Sequence, residues 1–369
     1  MRKKEANSKI ALIGSYPPPY GGISVHIQRV LFYLVQTKYS YDFYLENRAT
    51  GDIPDHYKFY GFRKLISLIR LFFRKYTLIH HHSPDWKMRV ILSIYGLFGK
   101  NIYLHIHGAS LKDMMKNRGI KSILIKNFLK FVNIIADNED IANLARRYHA
   151  KSVTCIDAFL PPPYRESIYK EFVSKYGEFL QKRYVISMVG WFSYYKGEDL
   201  YGFDIALQAL KRFKKEIERN VFLLASINGI RSEELHQKIK NYIIENNLTK
   251  NILFIYENLP EIWPIYIVSD VFIRPTCSDG SALSIKEAMW FQIPIIASDC
   301  VPRPEGVILF RNRSSNELFE KLKQVYESRD QYKSTEFKIE RVRDKKFRYE
   351  LFDKIYRLNY GGISNEPIR

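Results

Sequence analysis

The chain predicts an α/β protein in two halves, each a parallel sheet covered by helices on both faces. Three observations carry this. Short apolar runs alternate with longer stretches whose apolar residues recur at 3–4 spacing, the pattern of strand and helix in turn. The pattern starts afresh after the triple proline 161–163. The 369 residues suffice for two cores at roughly 100–200 residues per domain. Hydrophobic residues at 46% and charged residues at 26% exclude a disordered chain, and 18 Gly with 15 Pro exclude a collagenous one.

Taken in order, residues 10–14 read as a buried strand, followed by a Pro/Gly loop at 16–22 and a helix at 23–34. Further strands are expected at 41–45, 76–81 and 101–107, with helices at 62–73 and 89–98 between them. Residues 131–137 form a strand closed by Asn138, which suits the cap of a helix at 139–148, and 153–156 is the last strand of this half. The second half expects strands at 184–190, 221–226, 252–256, 271–274 and 293–298, with a helix at 203–215. The resulting division is a first domain over 1–164, a linker over 165–183, a second domain over 184–336 and a charged helical segment over 337–369. No internal sequence repeat is present.

Three scattered cysteines, Cys155, Cys277 and Cys300, exclude a disulfide framework and a structural zinc finger. The first apolar run is too short for a signal-peptide core, and no window approaches the roughly 18 apolar residues of a membrane span, so a cytoplasmic protein is expected. The formal charge of +19 is uneven: residues 1–164 hold 25 Lys+Arg against 11 Asp+Glu, and 165–369 hold 33 against 28. A basic first half calls for an anionic partner, which charge alone leaves open among nucleic acid, a membrane surface and a phosphorylated substrate.

In open α/β sheets, ligands bind beyond the carboxyl ends of the strands, so the chemistry belongs to the loops there. Gly21 and Gly22 open the first helix and offer free amides to an anion, although no G-x-G-x-x-G run is present. His105 and His107 share one strand face, with His107 at its end, and His80, His81 and His82 end the preceding strand. Strand neighbours alternate faces and no carboxylate or cysteine stands at ligand spacing. A metal is the lesser reading and none is expected, and His80 to His82 read as packing in the core or cleft. Gly190 ends a strand, and Lys196 follows in the loop, either as a phosphate cation or as one more solvated lysine.

The richest stretch runs from Arg274 to Met289. Asp279 stands in a Gly/Ser loop and Glu287 on the helix after it. Two carboxylates near one cleft suit a polyhydroxylated ligand. The backbone of Gly280, Ser281, Ala282, Leu283 and Ser284 offers amides at the helix start. The plain alternatives are that Asp279 caps the helix and Glu287 lies on the surface.

Together these pieces resemble the retaining group-1 glycosyltransferases of GT-B fold, of the bacterial polysaccharide and glycolipid type. The likeness rests on Tyr16-Pro-Pro-Pro-Tyr-Gly-Gly22, His105-Ile-His-Gly108, Gly190 to Gly197, and Ser278-Asp-Gly to Glu287-Ala with the strand after it. It implies two Rossmann-like domains facing across a cleft, with the C-terminal helix crossing back to the first. It implies that Gly21 and Gly22 line the donor phosphates and acceptor, and that His107 faces the transferred sugar. Lys196 would neutralise the departing diphosphate, Glu287 would hold the ribose, and Asp279 would hold sugar hydroxyls. Asn228, Gly229 and the loop 256–258 would touch the nucleotide. Trp191 stands where the family usually has arginine, and Arg274 or Arg303 would supply that missing charge. The implied reaction moves a sugar from a nucleotide-sugar, expected to be a UDP-sugar, with retention at the anomeric carbon. No cofactor and no metal are expected.

The implied acceptor is lipid-linked or a glycan. Basic and apolar residues interleave over 58–75 and 112–130, and basic amphipathic helices there would place the protein at the inner face of the cell membrane. The competing reading is of ordinary helices with buried apolar faces. Other activities compatible with these motifs are a sugar-nucleotide epimerase of the same fold and a non-catalytic sugar-nucleotide binder. A nucleic-acid-binding protein is the remaining alternative, but no helix-turn-helix, zinc-finger or RNA-recognition signature accompanies the charge, so no nucleic-acid partner is expected.

Overall fold

The computed structural model describes residues 9–332, apart from 19, 35–39, 48–57, 62–63, 83, 109, 117–118, 157–158, 182, 258 and 281, together with Lys338. It divides into two units, the first running to Leu160 and the second beginning at Pro161.

The first unit runs β1 (Lys9–Gly14), α1 (Gly22–Leu34), β2 (Ser40–Leu45), β3 (Lys58–Gly61), α2 (Lys64–Phe73), β4 (Leu78–His81), α3 (Trp86–Leu97), β5 (Ile102–Ile106), α4 (Ser110–Met115), α5 (Ile120–Phe128), β6 (Asn133–Ala136), α6 (Glu139–Arg147) and β7 (Ser152–Cys155). Its seven strands are parallel, in the order β3-β2-β1-β4-β5-β6-β7. Alternation along β1 explains its unbroken apolar sequence. Ile10 and Leu12 pack with Val30 and Leu34 of α1, whereas Ala11 and Ile13 face Ile79 and Leu104 on the other side. A strand buried on both faces has no polar position to spare. Asn138 caps α6 as its place after the strand predicts, accepting from the Ile141 amide at 3.0 Å.

The second unit runs α7 (Glu166–Leu180), β8 (Tyr184–Phe192), β9 (Tyr194–Tyr195), β10 (Glu198–Asp199), α8 (Phe203–Glu216), β11 (Val221–Ile230), α9 (Glu233–Glu245), β12 (Ile252–Ile255), α10 (Trp263–Val268), β13 (Val271–Arg274), α11 (Leu283–Trp290), β14 (Ile295–Ser298), β15 (Ile308–Phe310) and α12 (Ser315–Glu327). A six-stranded parallel sheet, β12-β11-β8-β13-β14-β15, forms its centre, and β9 and β10 make a separate antiparallel hairpin. Helices α8, α9 and α12 cover one face, and α7 and α10 pack on the other.

Several expectations are corrected. Residues 165–183 are not a linker. Phe172, Tyr176 and Leu180 recur every four residues and make α7 an apolar stripe packed on Val185, Phe222 and Leu224. The abundant Lys and Glu on the other faces of α7 hide that stripe in the sequence. The interleaved stretch 58–75 holds a strand as well as the expected helix: the aromatic residues before Gly61 pair with β2 as an edge strand, and the helix is described over Lys64–Phe73. Residues 112–130 split between α4 and α5, with Gly119 in extended conformation at the start of α5. Of the C-terminal segment 337–369 only Lys338 is described, so its crossing to the first unit lies outside the described residues. The buried Lys338 ammonium donates to the Ser269 carbonyl at 2.6 Å and the Ile267 carbonyl at 3.5 Å, at the end of α10.

Both sheets reverse their strand order once in a way that opens a crevice at the carboxyl end. In the first unit the reversal lies between β1 and β4, and in the second between β8 and β13. Among the described residues no helix is long and apolar enough to cross a membrane.

Candidate active site

In the second unit the loops after β8 and β13 meet at the strand reversal. Asp279, in the loop after β13, is gripped by two guanidinium groups. Arg274 donates through Nε and Nη2 to its two oxygens at 3.0 Å each, and Arg303 donates through Nη1 at 2.8 Å. Arg274 also reaches the Val189 carbonyl at 3.2 Å, tying the cluster to the end of β8. Arg303 is fixed by the Ser298 carbonyl at 3.1 Å and the Thr276 hydroxyl at 3.2 Å. Burial alone would push the Asp279 carboxyl up, but the Arg274 charge and the arginine hydrogen bonds outweigh it and hold the carboxyl below its usual range. Asp279 therefore does not cap α11. It assembles two arginines, and the net charge of the trio is positive.

Helix α11 begins after Ala282, and among the described residues no side chain caps it. Ser284 is buried, and Gly280 is exposed with open space where a Cβ would stand. Ser281 lies outside the described residues. Glu287 is not on the surface: it is buried on α11 and accepts from the Tyr266 hydroxyl at 3.0 Å.

The two glycine positions near β8 serve packing. A Cβ at Gly190 would stand 2.7 Å from the Tyr201 ring, and the Arg274 guanidinium lies 5.2 Å from the centre of that same ring. A Cβ at Gly229 would overlap Trp191. Asn228 and Gly229 occupy an irregularity in β11, where pairing with β8 skips from Ile227 to Ile230. Trp191 is thereby pressed between Gly229 and Arg231, whose guanidinium stacks 4.6 Å from the indole. Arg231 is exposed, and the sequence reading misses it because it comes from the neighbouring strand. Its cation is brought beside Trp191 by the stacking itself. Lys196 stands exposed at the tip of the β9–β10 hairpin. Of the loop 256–258, Tyr256 accepts or donates a hydrogen bond with His236 at 2.9 Å, Glu257 pairs with Lys175, and Asn258 lies outside the described residues.

Asp199, also absent from the sequence reading, organises the turn into α8. Its carboxylate accepts from the amides of Tyr201 and Gly202 at 3.1 Å each and Asp204 at 3.1 Å. Burial and the neighbouring Asp204 push its carboxyl up to about 6. Gly202 sits in the left-handed region at φ 71°, directly against the Pro275 carbonyl. Gly202→Ala is expected to cost about 2–4 kcal/mol, measured by urea denaturation, because both the backbone conformation and the space forbid a methyl.

In the first unit, Gly21 and Gly22 are exposed, and a Cβ at either would meet nothing within 4 Å. Neither has a positive φ. Nothing in the chain itself requires glycine there, which leaves room for a ligand above the start of α1. Ser24 closes the turn, accepting from the Gly21 amide at 3.0 Å. His107 is half-buried at the end of β5, and Asp137 accepts from the Gly108 amide at 2.7 Å to fix the following turn. His107 is not alone. His82 Nδ1 and His107 Nε2 are 3.2 Å apart, and His26, His80 and His105 pack around them. Burial, then neighbouring charges, push His82, His105 and His107 well below the usual histidine range and His80 down to about 3.

Two Rossmann-like units, each built on a parallel sheet with one strand reversal, make up the GT-B fold. Residues 183–328, in the second unit, match the family of group 1 glycosyl transferases. No curated protein matches the chain. Solved structures reproduce the whole fold. Sucrose-phosphate synthase from Thermosynechococcus elongatus is 15% identical with a TM-score of 0.63, covering 96% of this chain and 99% of that one. HepE of Anabaena in complex with UDP is 13% identical with a TM-score of 0.67, covering 95% and 99%. The lipopolysaccharide outer core galactosyltransferase WaaB is 15% identical with a TM-score of 0.57, covering 95% and 99%.

Proposed function

We propose that the protein is a retaining glycosyltransferase that takes its sugar from a UDP-sugar and delivers it to a lipid-linked or membrane-associated glycan acceptor. The observation that carries this reading is the Arg274–Asp279–Arg303 cluster beside the start of α11, within the group 1 domain. Bond breaking between the anomeric carbon and the diphosphate loads negative charge onto the leaving group. Positive charge fixed in advance, in a site that needs no reorganisation, is the main way to lower that barrier. Lys196, Arg231 and the arginine pair supply it in this proposal, so the diphosphate needs no metal. Glu287 takes the ribose hydroxyls. UDP is favoured over other nucleotides because HepE has been solved with UDP, with UDP and glucose, and with UDP-glucose.

A membrane acceptor is supported by α2. Leu65, Ile66, Ile69 and Phe73 form one stripe that faces solvent, with Leu65 and Phe73 exposed by 71% and 75%. Leu97 and Phe98 at the end of α3, and Ile120 and Ile123 on α5, add exposed apolar side chains. Phe72 links α2 to Phe98, and α3 packs on α5. Lys75, Lys112, Lys116 and Lys130, on or next to these stretches of chain, are exposed. Exposed apolar side chains with cations nearby in the chain suit the anionic leaflet, with about 1 kcal/mol per basic residue near the surface.

The reading is tested first by thermal shift with UDP, GDP, ADP and their sugar conjugates. UDP is expected to raise the melting temperature in a concentration-dependent way, and Glu287→Ala to weaken the shift. No shift with any nucleotide at millimolar concentration, together with no consumption of UDP-sugar, would sink it. Co-sedimentation tests the membrane part. Wild type is expected to bind anionic vesicles in low salt, and Ile69→Asp with Phe73→Asp to lose at least tenfold in affinity. Equal binding by the double variant would remove α2 from the interface.

A further inference from the structure

We propose that His26, His82, His105 and His107 form a site for a transition-metal dication of the zinc and copper class. One ring nitrogen from each lies within 4.8 Å of the other three. A tetrahedral zinc with Zn–N of about 2.0–2.1 Å needs nitrogens about 3.3–3.4 Å apart. His82 Nδ1 and His107 Nε2 already stand 3.2 Å apart. The other nitrogens lie within 4.8 Å, so the His26 and His105 rings must move closer to complete the set.

Strand register builds the cluster. His81 pairs with Leu104 across β4 and β5, so the next residues, His82 and His105, come side by side on one face of the sheet. His107 follows two residues on along the same face. His26, from α1, covers them with its ring 5.3, 5.0 and 5.1 Å from those of His82, His105 and His107. Four ligands therefore arrive from three elements. No short sequence motif records them, which is why spacing along the chain argued against a metal.

The second observation is the state of the ring nitrogens. His105 is 1% exposed, and neither of its nitrogens has a hydrogen-bond partner among the described residues. A buried polar atom left unpaired costs about 1–3 kcal/mol, so the two on His105 call for an explanation. A metal takes the lone pair of one of them. The ligand set is all imidazole, with no carboxylate among the four. The buried Arg89 acts on His107 as a charged neighbour and donates to the Ser110 hydroxyl at 3.0 Å. Neutral nitrogens beside a fixed cation disfavour calcium and magnesium and select metals whose affinity resides in imidazole bonding. His107, the half-buried member, is the side of entry.

The site stands on its own geometry. It does not depend on the transferase reading. Binding is read without turnover, so the two readings fail separately. The untagged full chain, stripped with EDTA, is titrated with zinc by calorimetry and with cobalt by visible absorption. One metal per chain is expected, with the intense bands of tetrahedral cobalt(II). His82→Gln and His105→Gln are each expected to weaken zinc binding by at least about tenfold, whereas His236→Gln in the second unit leaves it unchanged. X-ray absorption on the zinc-loaded wild type needs no variant and is expected to show nitrogen ligands at about 2.0 Å with imidazole scattering. Absence of stoichiometric binding, unchanged affinity in both variants, or a zinc shell with sulfur or fewer than three imidazoles would overturn the proposal.

Discussion

Asp279→Ala is expected to destabilise the second unit by about 3–5 kcal/mol in the absence of any ligand, because it leaves two buried guanidinium groups without their counter-charge. Arg303 and Arg274 are only 2% and 11% exposed at the side chain, so water cannot replace the lost carboxylate. Urea denaturation followed by tryptophan fluorescence checks this, since Trp191, Trp263 and Trp290 all lie in this unit. Asp279→Asn, which keeps an acceptor but loses the charge, is expected to fall between wild type and Asp279→Ala. If Asp279 acted only on sugar hydroxyls, both variants would keep wild-type stability and change KM for the donor alone. That outcome would show the arginines to be held by their other partners.

Mild acid is expected to open the first unit before the second. His80, His82, His105 and His107 all bind a proton more weakly when folded than in the unfolded chain, mainly through burial. Their contribution is whole above the unfolded value of about 6.5 and falls as pH drops below it, by up to about 1.4 kcal/mol per histidine per pH unit. The carboxylates of the second unit behave differently. Asp199, raised to about 6, adds stability as pH falls from there toward about 3.9. Asp279, lowered by its arginines, keeps its contribution until pH drops below about 3.9. Hydrogen exchange of the metal-free protein at pH 5 is therefore expected to lose protection in β4, β5 and α1 while β8 and β13 stay protected. Uniform loss across both units would contradict the burial of the histidines.

The elements legible in the sequence were those with one strong periodic signal. β1, α1, α8 and β13 fall where apolar spacing puts them, because tertiary packing there reinforces the local pattern. The short aromatic stretch before Gly61 carries no strand signal of its own, and only the open edge of β2 makes it a strand. Site residues divide in the same way. Asp279, Arg274 and Glu287 lie within one loop and its helix, and a single stretch of chain exposes them to reading. Arg231 meets Trp191 through a bulge in the adjacent strand, and His26 meets His105 across the helix–sheet interface. Such pairs are set by register, which no linear spacing encodes.

The β9–β10 hairpin turns on two residues, Lys196 and Gly197, at φ 51° and 83°. A mirror-image turn of this kind wants asparagine or aspartate before the glycine, and a lysine there holds an uncomfortable backbone. Lys196→Asn is expected to stabilise the second unit by up to about 1 kcal/mol and, on the proposed mechanism, to lose most of the transfer rate. A designer who optimised this chain for shelf life alone would make that exchange early and would remove the ammonium from the hairpin tip. On the proposed mechanism, the tip marks a place where thermal robustness and turnover cannot be improved by the same substitution.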